Sequence, residues 1–121
     1  MSQVKYQRTI ATETSCTGVG LHTGVETTIT FKPAGEDFGI RFKRMDVEGC
    51  PEIKADIDHV VDISRGTTIE ENGVRIHTVE HALAACVGIG LDNVLIELTE
   101  KEPPCLLYTP DAADDSACVD L

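Results

Sequence analysis

Three features of the 121-residue chain predict an α+β fold, a mostly antiparallel sheet packed against helices. Apolar and polar residues alternate through the first half, one later stretch switches to helical spacing, and a strand-like run follows it. In residues 25–31, Val25, Thr27, Ile29 and Phe31 share one face, with Glu26, Thr28 and Thr30 on the other. Phe38, Ile40 and Phe42 alternate in the same way with Gly39, Arg41 and Lys43. The Pro- and Gly-containing loop 32–37 between these runs predicts that they pair as a hairpin.

Ile53, Ala55 and Ile57 keep the period of two, while Ile57, Val60, Val61 and Ile63 also fit a helical stripe over residues 56–63. Periodicity leaves that overlap open. Glu71-Asn72-Gly73 predicts a turn leading into a short strand, Val74-Arg75-Ile76. A helix is predicted over residues 78–87, with Thr78 as N-cap and Val79, Leu83, Cys86 and Val87 as its apolar face. Gly88 and Gly90 end it, and Val94-Leu95-Ile96-Glu97-Leu98 resumes as a strand. After Pro103-Pro104 the composition turns acidic, small and aperiodic. Residues 1–104 therefore read as one domain, and 105–121 as a tail expected to be disordered.

Composition narrows the function. Hydrophobic residues make up 41% and charged residues 26%, as in soluble globular proteins, but aromatics are only 4% and Trp is absent. The core must then rest on Ile, Val, Leu and Ala. A net charge of -11 argues against nucleic acid and against an electrostatic anchor to anionic lipid. No apolar run approaches the roughly 20 residues of a transmembrane helix, and the N-terminus has no signal-like apolar segment. Five cysteines, an odd number without zinc-finger or redox spacing, are expected to be reduced thiols in a cytoplasmic protein. Cys86, on the apolar helix face, is expected to be a small core residue.

The chemistry concentrates in Thr78-Val79-Glu80-His81. A helix start favours an ionised Glu80, suited to a general base, and a neutral His81, suited to a metal. Taken alone, the pair fits better a dipole-complementing acid beside an exposed polar residue. Gly18-Val19-Gly20-Leu21-His22-Thr23-Gly24 is a second candidate, whose glycines imply a backbone that bends or lets a ligand come close. It lacks the Lys-Ser/Thr ending of a phosphate loop, and by itself a glycine-rich surface turn accounts for it. Arg65-Gly66-Thr67-Thr68 could supply polar contacts at a rim, but by itself a solvated turn accounts better for it. His77 is expected at the surface or in the cap region, and His59 among Asp56, Asp58 and Asp62 as part of a solvated acidic surface.

Together, segments 17–24, 78–81 and Gly88-Ile89-Gly90-Leu91-Asp92-Asn93 resemble the N-terminal half of the UDP-3-O-acyl-N-acetylglucosamine deacetylase family, in family order and at family-like distances. The resemblance runs from about residue 7 to 104. It implies one of two similar α+β domains with the active site between them. It also implies a zinc-dependent deacetylation in lipid A (lipopolysaccharide) biosynthesis of Gram-negative bacteria, acting on a UDP-linked acylated glucosamine. By the resemblance Glu80 is the general base and His81 one of three protein ligands to Zn2+. His22 lies at the active-site edge, and Thr67 and Thr68 border the acyl-chain passage. The other ligands belong to the missing second domain, so the chain alone is expected to bind zinc weakly and to be inactive. The substrate places the work at the inner face of the cytoplasmic membrane, peripherally. The tail from Cys105 departs from the family pattern. Two alternatives stay open: a metal-free interaction module, and a parent that fuses the deacetylase to a dehydratase.

Overall fold

A computed structural model of the chain describes residues 7–64 and 66–104, and the backbone of Cys118–Asp120. Its strands are β1 (Arg8–Ile10), β2 (Thr14–Val19), β3 (Glu26–Pro33), β4 (Ile40–Arg44), β5 (Glu52–Lys54), β6 (Val60–Asp62), β7 (Thr68–Glu71), β8 (Val74–Ile76), β9 (Val94–Leu98) and β10 (Cys118–Asp120). The one α-helix among the described residues is α1 (Glu80–Gly88). The α+β class predicted from the sequence holds. The principal sheet has the order β2-β3-β9-β4-β5; every pairing in it is antiparallel except β4 with β9. A second antiparallel sheet joins β6, β7 and β8, and β1 pairs with β10.

The predicted hairpin between 25–31 and 38–42 is not formed, because β9 lies between β3 and β4 and bonds to both. The reason is apolar content. Val94, Ile96 and Leu98 are fully buried and Leu95 half-buried, so this strand is suited to the centre of a sheet covered on both faces. Of the expected loop 32–37, Lys32 and Pro33 continue β3 and pair with β9; residues 34–39 carry the chain past the place that β9 fills. The expected faces survive the change of partner except at Val25, which precedes β3 and is exposed. Thr27 and Ile29 on β3 and Phe42 on β4 are buried, and Phe42 lies in register with Ile53 of β5 and Ile96 of β9.

Strand β5 stops at Lys54, and the overlapping stretch 56–63 resolves into a single 3-10 turn, Ile57–His59, followed by β6. Asp56 caps that turn by accepting from the Asp58 N–H, and Ile57, Val61 and Ile63 remain exposed. The β7–β8 hairpin turns through Asn72 and Gly73, both at positive φ (53° and 81°), as a tight two-residue connection between Glu71 and Val74 requires. Helix α1 turns Ala82 and Cys86 inward, where they join Ile29, Phe42, Ile53, Ile69, Ile76, Ile96 and Leu98 in one hydrophobic cluster. Cys86 is thus a core residue, as expected. Val87 is not on the apolar face: it is 73% exposed. With Ala82 at the centre of the buried stripe, Val87 lies five residues on, about 140° around the helix.

The expected disorder of residues 105–121 concerns a segment that lies, apart from the backbone of β10, outside the described residues. Among the described residues no helix is long and apolar enough to cross a membrane.

Candidate active-site half

Gly20 begins the site. Its N–H donates to the Val25 carbonyl (3.0 Å), and its own carbonyl accepts from Gly24 N–H (3.0 Å), which closes residues 20–25 into a tight turn. A bridge from Gly20 to Pro104 brings the segment after β9 alongside. That segment delivers Glu102, whose side chain is fully buried. Glu102 Oε1 accepts from the backbone N–H of His22 (3.0 Å) and of Thr23 (2.9 Å). Its Oε2 accepts from the Thr78 hydroxyl (2.6 Å) and lies 3.0 Å from His22 Nδ1. Burial alone would raise the Glu102 pKa, but the bonds from Thr78, from Thr23 N–H and from the ring and N–H of His22 outweigh it and hold the value at about 2.

This accounts for a glycine at position 20. A Cβ there would come within 2.5 Å of Thr23 Oγ1 and closer still to Glu102 Oε1. The close approach inferred from the glycine-rich sequence is therefore to a carboxylate of the same chain.

Thr78 was expected to cap α1. It does not: the N-cap position falls on Val79, with no side-chain cap bond. The single hydroxyl proton of Thr78 goes to Glu102 instead, and Thr78 adopts φ +56°, a strained conformation for a β-branched residue. Such strain persists where the surroundings fix it, and here a buried carboxylate does so. Immediately after this kink come Glu80 and His81.

Glu80 is half-buried, and its Oε2 accepts from the Thr67 backbone N–H (2.8 Å). Its Oε1 is buried and has no hydrogen-bond partner among the described residues. Gly66, at φ +102°, brings its backbone so close that a Cβ would sit 3.2 Å from both carboxylate oxygens. His81, next on the helix, is exposed.

A cavity of about 540 Å³ is lined by His22, Thr23, Val25, Asp62, Gly66, Thr68, His77, Thr78 and Lys101. The structure thus brings His22 and Thr68 to one cavity and ties Thr67 to Glu80, while neither Glu80 nor His81 lines the cavity directly. His77, expected at the surface or in the cap region, lies two residues before the N-cap and is half-buried, with Nδ1 3.1 Å from Thr68 Oγ1. Burial, aided by the Lys101 charge, pushes its pKa below the ordinary histidine range. His59 lies between Asp56 (Nδ1 to Oδ1, 3.0 Å) and Glu71 (Nε2 to Oε1, 2.9 Å), away from this cavity.

Among the described residues no three His, Cys, Asp or Glu side chains are grouped to hold a metal. The donor chemistry fits one ligand and one base: an exposed imidazole next to a carboxylate with an uncommitted buried oxygen. Sequence reasoning missed Glu102. Its only local signal is an acid directly before Pro103-Pro104, and its partners lie 24 to 80 residues away.

The fold and this candidate site define an α+β domain that offers a carboxylate–imidazole pair at the start of a helix. Comparison with known proteins shows that the chain belongs to the UDP-3-O-acyl N-acetylglycosamine deacetylase family, whose model matches residues 7–107. It is 57% identical over 101 residues to the bifunctional enzyme LpxC/FabZ of Chlorobaculum tepidum, covering 84% of this chain and 22% of that protein. It is 45% identical over 100 residues to the UDP-3-O-acyl-N-acetylglucosamine deacetylase of Saccharophagus degradans, covering 83% of this chain and 33% of that protein. To the bifunctional enzyme LpxC/FabZ of Bacteroides thetaiotaomicron it is 44% identical over 100 residues, covering 83% and 22%. The chain spans a third or less of the length of these relatives.

Proposed function

We propose that this chain is the N-terminal part of a zinc-dependent hydrolase that removes the acetyl group from UDP-3-O-acyl-N-acetylglucosamine in lipid A biosynthesis. The carrying observation is Glu80. One oxygen is fixed by the Thr67 N–H while the other is buried and uncommitted, beside an exposed His81. The name of the Saccharophagus relative supports the substrate.

In this reading His81 supplies one ligand to Zn2+, and the remaining ligands come from a second domain outside this chain. When bound, the metal polarises the amide carbonyl as a Lewis acid. Glu80 Oε1 takes the proton of the attacking water, and the Thr67 N–H on Oε2 keeps the carboxylate oriented. Thr68 and His22 face the substrate from the cavity side. Chemistry ends with acetate and a free glucosamine amine. The enzyme works in the cytoplasm, peripheral to the inner membrane face, where its lipid-like substrate lies.

The 121 residues alone are inactive. Four-ligand zinc sites bind with about 10–16 kcal/mol, so one ligand's share of about 2.5–4 kcal/mol gives millimolar-class affinity. Equilibrium dialysis with Zn2+ and an amine-release assay on the UDP-linked substrate measure both; turnover by the isolated chain would contradict this part of the reading. Joining residues 7–104 to the remainder of the Saccharophagus deacetylase is expected to give an active enzyme. Glu80→Gln in that chimera should lower kcat by about 10²–10⁴-fold. An undiminished rate would exclude Glu80 as the base.

A fused parent is the second reading, favoured by the 57% identity to a bifunctional enzyme. Sequencing the coding DNA downstream of residue 104 decides it.

A further inference from the structure

We propose that Glu102 is a positioning residue that fixes the tautomer of His22, holding the proton on Nδ1 and leaving Nε2 as the ring's acceptor toward the cavity. For the neutral ring the hydrogen-bond inventory leaves no other assignment. Glu102 Oε2 receives the only hydroxyl proton Thr78 has, at 2.6 Å. Thr78 therefore cannot also donate to His22 Nδ1, 3.1 Å away, although it can accept from it. An ionised carboxylate only accepts, so the 3.0 Å contact between Nδ1 and Oε2 is a hydrogen bond only with the proton on Nδ1. Ionisation is secured by the two backbone N–H groups on Oε1, and the depressed pKa agrees. Nε2 has no hydrogen bond among the described residues, and the His22 side chain, 45% exposed, lines the cavity.

The ring is thus tied at one nitrogen and presented at the other, as carboxylate partners orient histidines elsewhere. The same carboxylate binds the head of the helix bearing Glu80 and His81 through Thr78, so one buried group registers the turn against the helix. The tautomer rests on this geometry alone. Its use, with Nε2 accepting a hydrogen bond from the substrate, rests on the deacetylase reading.

The test is a long-range 1H–15N correlation on the 15N-labelled full chain at about pH 8.5, where an ordinary histidine is neutral, with the His22 signals assigned by His22→Asn. The Nδ1–H form should predominate roughly tenfold or more, the ratio expected of a hydrogen bond to a charged acceptor. A wild-type ring found mainly as Nε2–H, or as an even mixture, overturns the proposal whatever the variants do. Glu102→Gln should invert the tautomer. The Gln carbonyl must face the His22 and Thr23 N–H groups, so its amide NH2 meets Nδ1 and can only donate to it. Thr78→Val removes a neighbour but keeps the carboxylate and should leave Nδ1–H in place; inversion there would transfer the role to Thr78 and overturn the assignment. Amide and methyl spectra certify the fold of each variant. Failure of the deacetylase reading would appear in the chimera's turnover and leave these nitrogen shifts unchanged.

Discussion

Replacing Gly20 by Ala adds one methyl group where the structure has no room for it. The new Cβ would lie within 2.5 Å of Thr23 Oγ1 and nearer still to Glu102 Oε1, so the carboxylate must retreat by about 1 Å to reach ordinary contact. Glu102 is no flexible surface end. It is buried, and its Oε1 is held at 3.0 Å and 2.9 Å by the N–H groups of His22 and Thr23. A retreat of that size breaks both bonds. Each hydrogen bond to a charged group is worth about 1.5–3 kcal/mol, and water at the largely exposed turn recovers part of the loss. Overpacking of this kind costs about 1–3 kcal/mol. A net loss of about 3 kcal/mol follows. With a urea slope of about 1.5 kcal/mol/M, the unfolding midpoint should fall by about 2 M. Gly35→Ala is the control, because nothing lies within 4 Å of its added Cβ and its φ is not left-handed; it should stay within about 0.5 kcal/mol of wild type. Equal midpoints for the two variants would refute the clasp.

Stability should also fall in acid for a definable reason. Glu102 goes from 4.5 to about 2 on folding, which corresponds to about 3 kcal/mol for this fully buried side chain. Because the folded value is the lower one, the stabilisation is complete above about pH 5 and disappears as pH falls from 4.5 toward 2; urea midpoints at pH 7 and 3 should differ less in Glu102→Gln than in wild type. Phe42→Ala, which empties the space between Ile53 and Ile96, should cost about 3–5 kcal/mol by the same measurement. Val87→Lys should change stability by no more than about 0.5 kcal/mol, since Val87 lies on the solvent side of α1; a core-sized loss would reverse its placement.

Local patterns in the sequence carried the elements well. Alternation placed Thr27, Ile29 and Phe42 inward, Asn72-Gly73 marked the hairpin turn, and the helical spacing located α1 within two residues of its start. Partners were harder to read. Nothing in residues 25–42 says that a strand fifty residues later will separate them, because that choice rests on how apolar β9 is relative to every competitor. Thr78 looks like a cap in one dimension, and only Glu102, 24 residues away, explains why its hydroxyl serves elsewhere. Glu80, His81 and His22 were legible through their motifs only as candidates. What holds His22 was not, since a single acid before two prolines has no local signature.

The late arrival of β9 also governs how the chain is made. Both of its neighbours are synthesised by residue 44, yet neither can saturate that edge until residue 98 has been added. At about 5–20 residues per second, some 54 residues of synthesis leave the apolar edges of β3 and β4 waiting for about 3–11 s. During that interval the nascent chain presents two sticky, unmatched ribbons, and a holding chaperone or dilution should raise the soluble yield.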